Sequence, residues 1–286
     1  MITEKKIDLY KYFNLQRPEG AKGYLNSYIL ERSQEYSANR MRPAMIVFTG
    51  GGYWMRSDRE KEPIALSYLA KGFNAFTVEY TVGSESDNAH MPVMLIEACM
   101  AVAFVRENAD KYFIRKDKIG VIGFSAGGHL AGSVTTMWNE ISVQNALKEK
   151  YTLARPDVAV LCYPVITFTH PTHGGTRDWA TNSNPDLYDY YSLEKRVTKN
   201  TPPCFIWATS EDNCVPPISS ILMAQALAEN GVPFDLHIYH KGGHGLALAN
   251  RESASSDDAN CILPIAEGWF EQSIKFLSGL DFKVVD

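Results

Sequence analysis

Short, continuously apolar runs alternate with amphipathic stretches along most of this chain. A strand covered on both faces reads as such a run, whereas a strand with one wet face alternates between apolar and polar residues. The runs that predict strands are residues 7–13, 24–30, 45–48, 74–80, 119–124, 158–163, 204–209 and 234–239. The pattern therefore predicts an α/β fold: a mostly parallel, eight-stranded sheet flanked by helices on both faces.

The stretches between these runs carry helix signals. Pro92 suits a first helical position, and apolar residues follow it at helical spacing. A second helix is predicted from Pro217 to Gly231, and a third over residues 126–137. Because sheet and helices alternate without a linker or a repeat, we expect one domain over residues 1–286.

Residues 167–203 break this alternation. They are rich in His, Gly, Asn, Pro and Tyr, and only a short helix near residues 191–197 is suggested. A segment of this length in a compact domain is usually functional, so we interpret it as an insertion over the active site.

A nucleophile motif follows the predicted strand 119–124. Gly123, Ser125 and Gly127 form Gly-x-Ser-x-Gly between a strand and a helix, the context in which such a serine is exposed on a tight turn. Small flanking residues let that turn close, and the helix N-terminus favours developing negative charge. Ser125 is therefore the candidate nucleophile.

Three glycines follow the strand 45–48, where unhindered backbone N–H groups can face an oxyanion. We assign the oxyanion hole to Gly51, Gly52 and the N–H of Ala126, with Tyr53 as an alternative to the glycines. A phosphate cradle is disfavoured, since neither a Walker motif nor a dinucleotide-binding motif is present.

The acid and the base of a serine hydrolase come later in the chain. Asp212 follows the strand 204–209 and is the candidate acid, with Glu211 as a close competitor. His244 lies in a Gly-rich turn after the strand 234–239 and is the candidate base. His129, four residues after Ser125 on the same helix, is interpreted as a packing or hydrogen-bonding residue.

Composition excludes several other classes of protein. A net charge of −5 without a basic stripe disfavours nucleic-acid binding, and the absence of a long apolar stretch disfavours a membrane span. Five scattered cysteines predict neither disulfides nor a metal site. We expect a cytoplasmic enzyme that needs no cofactor or metal, with a small-molecule ester as its partner and a homodimer as the default assembly.

The segments GFSAGGHLA, GGGYW, SEDNCVPP and GGHGLALAN together resemble the bacterial acetyl-xylan or acyl-sugar esterase-like branch of the α/β-hydrolases. That resemblance implies a carboxylesterase that cleaves short acyl esters, acetyl groups first, without a cofactor. Thr49 departs from the HGGG pattern of related lipases and esterases, so the oxyanion loop needs different support.

Aromatic residues near the predicted site could stack on a sugar. The candidates for substrate binding are Tyr53, Trp54, Trp179 and Tyr188, with Tyr190 and Tyr191 in the same insertion. His170 and His173 of this insertion are interpreted as loop residues and are also candidates for the pocket.

Two other functions stay open. GGGYW is also similar to the HGGYW segment of kynurenine formamidases, which makes hydrolysis of an aryl formamide the alternative reaction. A non-catalytic binding module on a hydrolase scaffold is the third hypothesis, although such modules usually lose a member of the triad.

Overall fold

The computed structural model describes residues 1–35, 37–255 and 259–286. Its strands are β1 (Ile7–Asp8), β2 (Tyr24–Tyr28), β3 (Arg42–Phe48), β4 (Asn74–Glu79), β5 (Ile114–Phe124), β6 (Val158–Cys162), β7 (Cys204–Thr209) and β8 (Phe234–Tyr239). They form one sheet in the order β1-β2-β4-β3-β5-β6-β7-β8. Neighbouring strands are parallel from β4 to β8 along this order. At the other edge, β1 pairs antiparallel with β2, and β2 pairs antiparallel with β4. The predicted α/β-hydrolase sheet is confirmed.

The helices connect these strands. They are α1 (Leu9–Tyr12), α2 (Glu62–Ala70), α3 (Val93–Glu107), α4 (Ala126–Met137), α5 (Ile141–Leu147), α6 (Gly174–Thr181), α7 (Ile218–Glu229), α8 (Pro264–Glu267) and α9 (Trp269–Gly279). The helix predicted from Pro92 begins one residue later, and Gly231 lies just past α7 with a positive φ of 67°.

A hydrophobic core lies on each face of the sheet. Along β3, Met45 and Val47 pack with α2 and α9, whereas Ile46 and Phe48 pack with α3 and α4. Successive side chains of a strand point to opposite faces, so a strand buried on both sides must be apolar throughout. This is why the central strands could be located from the sequence.

The predicted strand 7–13 is wrong beyond its first two residues. Only Ile7–Asp8 is a strand, because the Asp8 side chain accepts a hydrogen bond from the Lys11 backbone N–H and so caps α1. Leu9 and Tyr10 of this helix are buried in the core. An apolar run this short does not by itself distinguish a strand from a buried helical turn.

The insertion 167–203 also differs from its prediction. Its main element is α6, which the sequence analysis missed because the helix begins with two glycines and lacks an apolar stripe. The helix suggested near 191–197 is a 3-10 turn over Leu193–Arg196.

Candidate active site

Ser125 stands at the sharp turn between β5 and α4. Its φ of 52° and ψ of −118° lie in a region that non-glycine residues rarely adopt, at a cost on the order of 1–3 kcal/mol. The glycines on either side permit this turn: a Cβ on Gly123 would lie 2.0 Å from the carbonyl oxygen of Gly127, and one on Gly127 would lie 2.3 Å from that of Phe48. The motif is therefore a strained turn that presents the serine hydroxyl at the sheet edge.

His244 joins Ser125 to Asp212. The distance from His244 Nε2 to Ser125 Oγ is 2.7 Å, and that from His244 Nδ1 to Asp212 Oδ2 is 2.6 Å. Since a carboxylate can only accept, Nδ1 carries the proton of the neutral ring, which leaves Nε2 to accept from the serine hydroxyl. The structure thus brings together three residues that are up to 119 positions apart in the chain.

Asp212 is held rigidly. Its side chain is fully buried, and Oδ1 accepts hydrogen bonds from the backbone N–H groups of Cys214 and Val215, both at 2.9 Å. The competing Glu211 is exposed and accepts instead from the N–H of Gly242. Adjacent residues point in different directions here, and Asp212 is the one that reaches His244.

The glycine loop after β3 lies against the nucleophile. A Cβ on Gly50 would lie 3.1 Å from the Cβ of Ser125. Gly51 and Gly52 have φ of 122° and 65°, a region that favours glycine, and their N–H groups donate to no acceptor among the residues that the structure describes. Ala126 opens α4, so its N–H also lacks an intrahelical acceptor. These amides have the properties that an oxyanion hole requires.

Glu60, which the sequence analysis missed, supports this loop. Its fully buried carboxylate accepts from the backbone N–H of Gly50 and from the Tyr163 hydroxyl, each at 2.7 Å. Burial raises the pKa of Glu60, although both hydrogen bonds act in the opposite direction. Because no motif surrounds Glu60 in the sequence, only the fold could reveal its position.

A cavity of about 480 Å³ opens above Ser125 and His244. Its lining includes Gly51, Gly52 and Glu60 and part of the insertion. The insertion side chains that line it are His173 and Trp179. The insertion therefore lies over the candidate site, as predicted.

The aromatic candidates separate into two groups. Trp54 and Trp179 line the cavity as a tilted pair, with their ring centroids 5.5 Å apart. Tyr53 is fully buried and its hydroxyl bonds to His129, so the structure contradicts its place in the substrate pocket. Tyr188 packs beneath the Arg177 guanidinium and lies outside the cavity lining, which contradicts its predicted role too.

The two remaining tyrosines of the insertion also lie elsewhere. Tyr190 bonds to Glu140, and the Tyr191 carbonyl accepts from His129.

His129 is a buried structural residue. Its Nδ1 lies 2.9 Å from the Tyr53 hydroxyl and its Nε2 lies 2.9 Å from the Tyr191 carbonyl oxygen. Burial lowers the pKa of His129 to about 4, so the ring is neutral at ordinary pH. It thereby ties the glycine loop and the insertion to α4, in line with its interpretation from the sequence.

Cys214 is exposed, whereas Cys99, Cys162, Cys204 and Cys261 are buried. Within the described ranges, no three His, Cys, Asp or Glu side chains are grouped so that they could hold a metal ion. No helix in the same ranges is both long and apolar enough to cross a membrane.

Sequence comparisons match the chain to one family model and to curated relatives. The BD-FAE family model matches residues 33–227. The chain is 39% identical over 213 residues to endo-1,4-beta-xylanase B of Butyrivibrio fibrisolvens. The aligned region covers 74% of this chain and 33% of that protein. It is 29% identical over 216 residues to an acetylxylan esterase of Xylanibacter ruminicola. This aligned region covers 72% of this chain and 41% of that protein. The match thus spans well under half of each of these two relatives.

Two solved structures match over almost the whole chain. The acetyl ester-xyloside bifunctional hydrolase from Caldicellulosiruptor lactoaceticus is 36% identical with a TM-score of 0.75, covering 91% of this chain and 89% of that one. MGS-M1, an α/β hydrolase enzyme from a Medee basin deep-sea metagenome library, is 34% identical with a TM-score of 0.77, covering 98% of both chains. The resemblance found in the sequence motifs is therefore confirmed, and the relatives that are named esterases support a hydrolase acting on esters.

Proposed function

Since this chain belongs to the BD-FAE family and has the α/β-hydrolase fold, we propose that it is a serine esterase that removes small acyl groups, acetyl first, from a sugar alcohol. The observation that carries the proposal is the continuous hydrogen-bonded chain from Asp212 through His244 to Ser125. The sugar part rests on the Trp54–Trp179 pair in the cavity that contains Ser125 and on two relatives, the acetylxylan esterase and the acetyl ester-xyloside hydrolase. We propose no xylanase activity, because the chain covers only 33% of the xylanase relative.

In the proposed mechanism, His244 Nε2 takes the proton of the Ser125 hydroxyl as Oγ attacks the ester carbonyl carbon. Asp212 holds the ring by Nδ1 and stabilises the imidazolium that forms. The backbone N–H groups of Gly51, Gly52 and Ala126 stabilise the oxyanion, and the positive end of α4 adds to their effect.

Collapse of the tetrahedral intermediate breaks the bond to the alcohol oxygen, which takes the proton from His244. The acyl group is then bound to Ser125 Oγ. A water molecule gives a proton to His244 as its oxygen attacks the acyl carbon. The bond from this carbon to Oγ then breaks, Oγ takes the proton back from His244, and the carboxylic acid is released.

The proposal is tested with p-nitrophenyl acetate and acetylated xylo-oligosaccharides as substrates. Ser125→Ala is expected to abolish turnover of both. Asp212→Asn is expected to lower kcat by about 10⁴-fold, because the wrong imidazole tautomer is then favoured, whereas the adjacent Glu211→Gln is the matched control and keeps most of the activity.

Three outcomes would overturn the proposal. The first is wild-type protein that hydrolyses neither ester although a fluorophosphonate labels Ser125. The second is faster turnover of N-formylkynurenine than of any acetyl ester, which would make the chain a formamidase. The third is equal rates for wild type and Ser125→Ala, which would point to a binding module.

A further inference from the structure

His173 carries a fixed hydrogen-bond donor that the proposed mechanism does not use. Its Nδ1 accepts from the backbone N–H of Thr176 at 3.1 Å and lies 2.8 Å from the Thr176 hydroxyl. A ring nitrogen that accepts from a backbone amide has no proton of its own, so Nε2 carries the proton of the neutral ring. The cap of α6 thereby sets the tautomer of this histidine.

His173 lies in the lining of the cavity that contains Ser125 and His244. The ring lines this cavity, and Nε2 has no partner among the residues that the structure describes. The ring has room because it lies between two glycines: a Cβ would come within 3.2 Å of Cε1 if built on Gly52, and within 3.1 Å if built on Gly175. Side chains at either position would crowd the ring.

His173 is suited to donate rather than to act as a second base. Partial burial lowers the pKa of His173, and the positive charge that His244 carries when protonated lowers it further. The ring therefore stays neutral while His244 holds the proton of Ser125. Nδ1 of His173 contacts Thr176 rather than a carboxylate, so this residue lacks the acid that orients His244.

The surroundings of this donor define what it can bind. Trp179 lies on α6, the helix that His173 caps, and pairs with Trp54 across the same cavity. An indole face accommodates the apolar face of a sugar ring, while an uncharged N–H at its side suits a hydroxyl or ring oxygen. An aryl alcohol without hydroxyl groups would use the indoles alone.

We propose that His173 is a substrate-binding residue that donates its Nε2–H to an oxygen of the sugar alcohol from which the acyl group is removed. The inference deepens the proposed esterase function and rests on it. It follows that His173 affects the binding of the alcohol part of the ester and does not affect the acyl transfer itself.

Two substitutions at this position separate the cap from the donor. In His173→Asn the amide oxygen can replace Nδ1 as the cap of Thr176, but the side chain is too short to place a donor at Nε2. In His173→Gln the amide NH₂ can reach the position of Nε2, but the cap is weakened. A purely structural residue would tolerate Asn better, whereas a donor to the substrate would tolerate Gln better.

The experiment compares kcat/KM of both variants and wild type on acetylated methyl xyloside and on p-nitrophenyl acetate. For His173→Asn we expect about a tenfold loss on the xyloside, the size of one hydrogen bond, and less than about a twofold change on the aryl ester. His173→Gln is expected to recover part of the xyloside activity. Thermal unfolding of each variant checks that the fold is retained.

Acetylated monodeoxy xylosides identify the contact. The deoxy analogue that lacks the accepting hydroxyl should be hydrolysed equally well by wild type and His173→Asn. Equal losses on the xyloside and the aryl ester, or no loss on either, would overturn the inference. Failure of the proposed function is distinguishable, because wild-type protein would then be inactive on both esters.

Discussion

The buried carboxylate of Glu60 accepts a hydrogen bond from the backbone N–H of Gly50, with 2.7 Å between nitrogen and oxygen. Its second oxygen accepts from Tyr163, whose hydroxyl in turn accepts from the N–H of Ala247 and whose ring packs on His244. One side chain therefore connects the glycine loop with the loop that carries the base. This contact supports the loop in which Thr49 replaces the histidine of the HGGG pattern.

Glu60→Gln is expected to lower kcat on p-nitrophenyl acetate by roughly 10- to 100-fold, through misplacement of the loop amides. An amide has only one acceptor oxygen, so its NH₂ group must face either the N–H of Gly50 or the hydroxyl of Tyr163. The unsatisfied donor should also lower the free energy of unfolding by about 1–3 kcal/mol, which urea denaturation measures. Glu62→Gln, an exposed neighbour on α2, serves as control, and equal kcat values for the two variants would contradict this role.

Gly83→Ala is expected to displace Trp179. A Cβ at this position would lie 2.5 Å from Cζ2 of the indole, which is too close for any real contact. Under the proposed function, kcat/KM should fall several-fold for acetylated xylo-oligosaccharides and less for p-nitrophenyl acetate. Gly268→Ala is the matched control, because a Cβ there meets nothing within 4 Å. Unchanged sugar-ester kinetics in Gly83→Ala would show that the indole pair does not bind the substrate.

The stability of the protein should depend on pH through His129. Its pKa is lowered to about 4 in the folded state by burial, against about 6.5 in an unfolded chain. Between these values the unfolded state binds the extra proton, so stability is full above pH 6.5 and is lost as the pH falls towards 4, by up to about 1.4 kcal/mol per pH unit.

The measurement is the free energy of unfolding between pH 4 and 7 for wild type and His129→Asn, whose amide oxygen can still accept from Tyr53. The variant should be less stable at pH 7 but should have a shallower slope below pH 6.5. His170→Asn, at an exposed position, controls for the removal of a histidine. Parallel curves for wild type and His129→Asn would rule out this contribution.

Alkylation of Cys214 should inactivate the enzyme. This thiol is exposed and lines the cavity, whereas the other four cysteines are buried. Partial burial and the charge of Asp212 raise the pKa of Cys214, so its reaction with iodoacetamide should be slow at pH 7 and faster at pH 9. Mass spectrometry locates the adduct, and residual activity on acetyl esters is measured in parallel. Cys214→Ser should keep its activity under the same treatment; equal inactivation would place the reactive group elsewhere.

Local sequence determined the central sheet and the nucleophile turn. Residues 45–48, 119–124, 158–162 and 204–208, which lie in β3, β5, β6 and β7, are all apolar or glycine because these stretches are covered on both faces, and that requirement is visible residue by residue. The turn at Ser125 was equally visible, because the backbone closes only where Gly123 and Gly127 have no side chains.

The tertiary structure determined in which direction the polar side chains point and which residues distant in the sequence they contact. Asp212 and Glu211 are neighbours with the same chemistry, and only the fold shows which carboxylate reaches His244. The sequence predicts Tyr53 as a pocket residue, but in the fold its hydroxyl bonds to the buried His129.

No sequence motif marks Glu60, because its partners Gly50 and Tyr163 lie on other elements. His173 is a candidate pocket residue from its place in the insertion, but only the cap of α6 shows which of its ring nitrogens carries the proton. The burial of a strand depends on the apolar character of its own residues. The direction of a polar side chain depends on the hydrogen-bond partners that surround it in the folded chain.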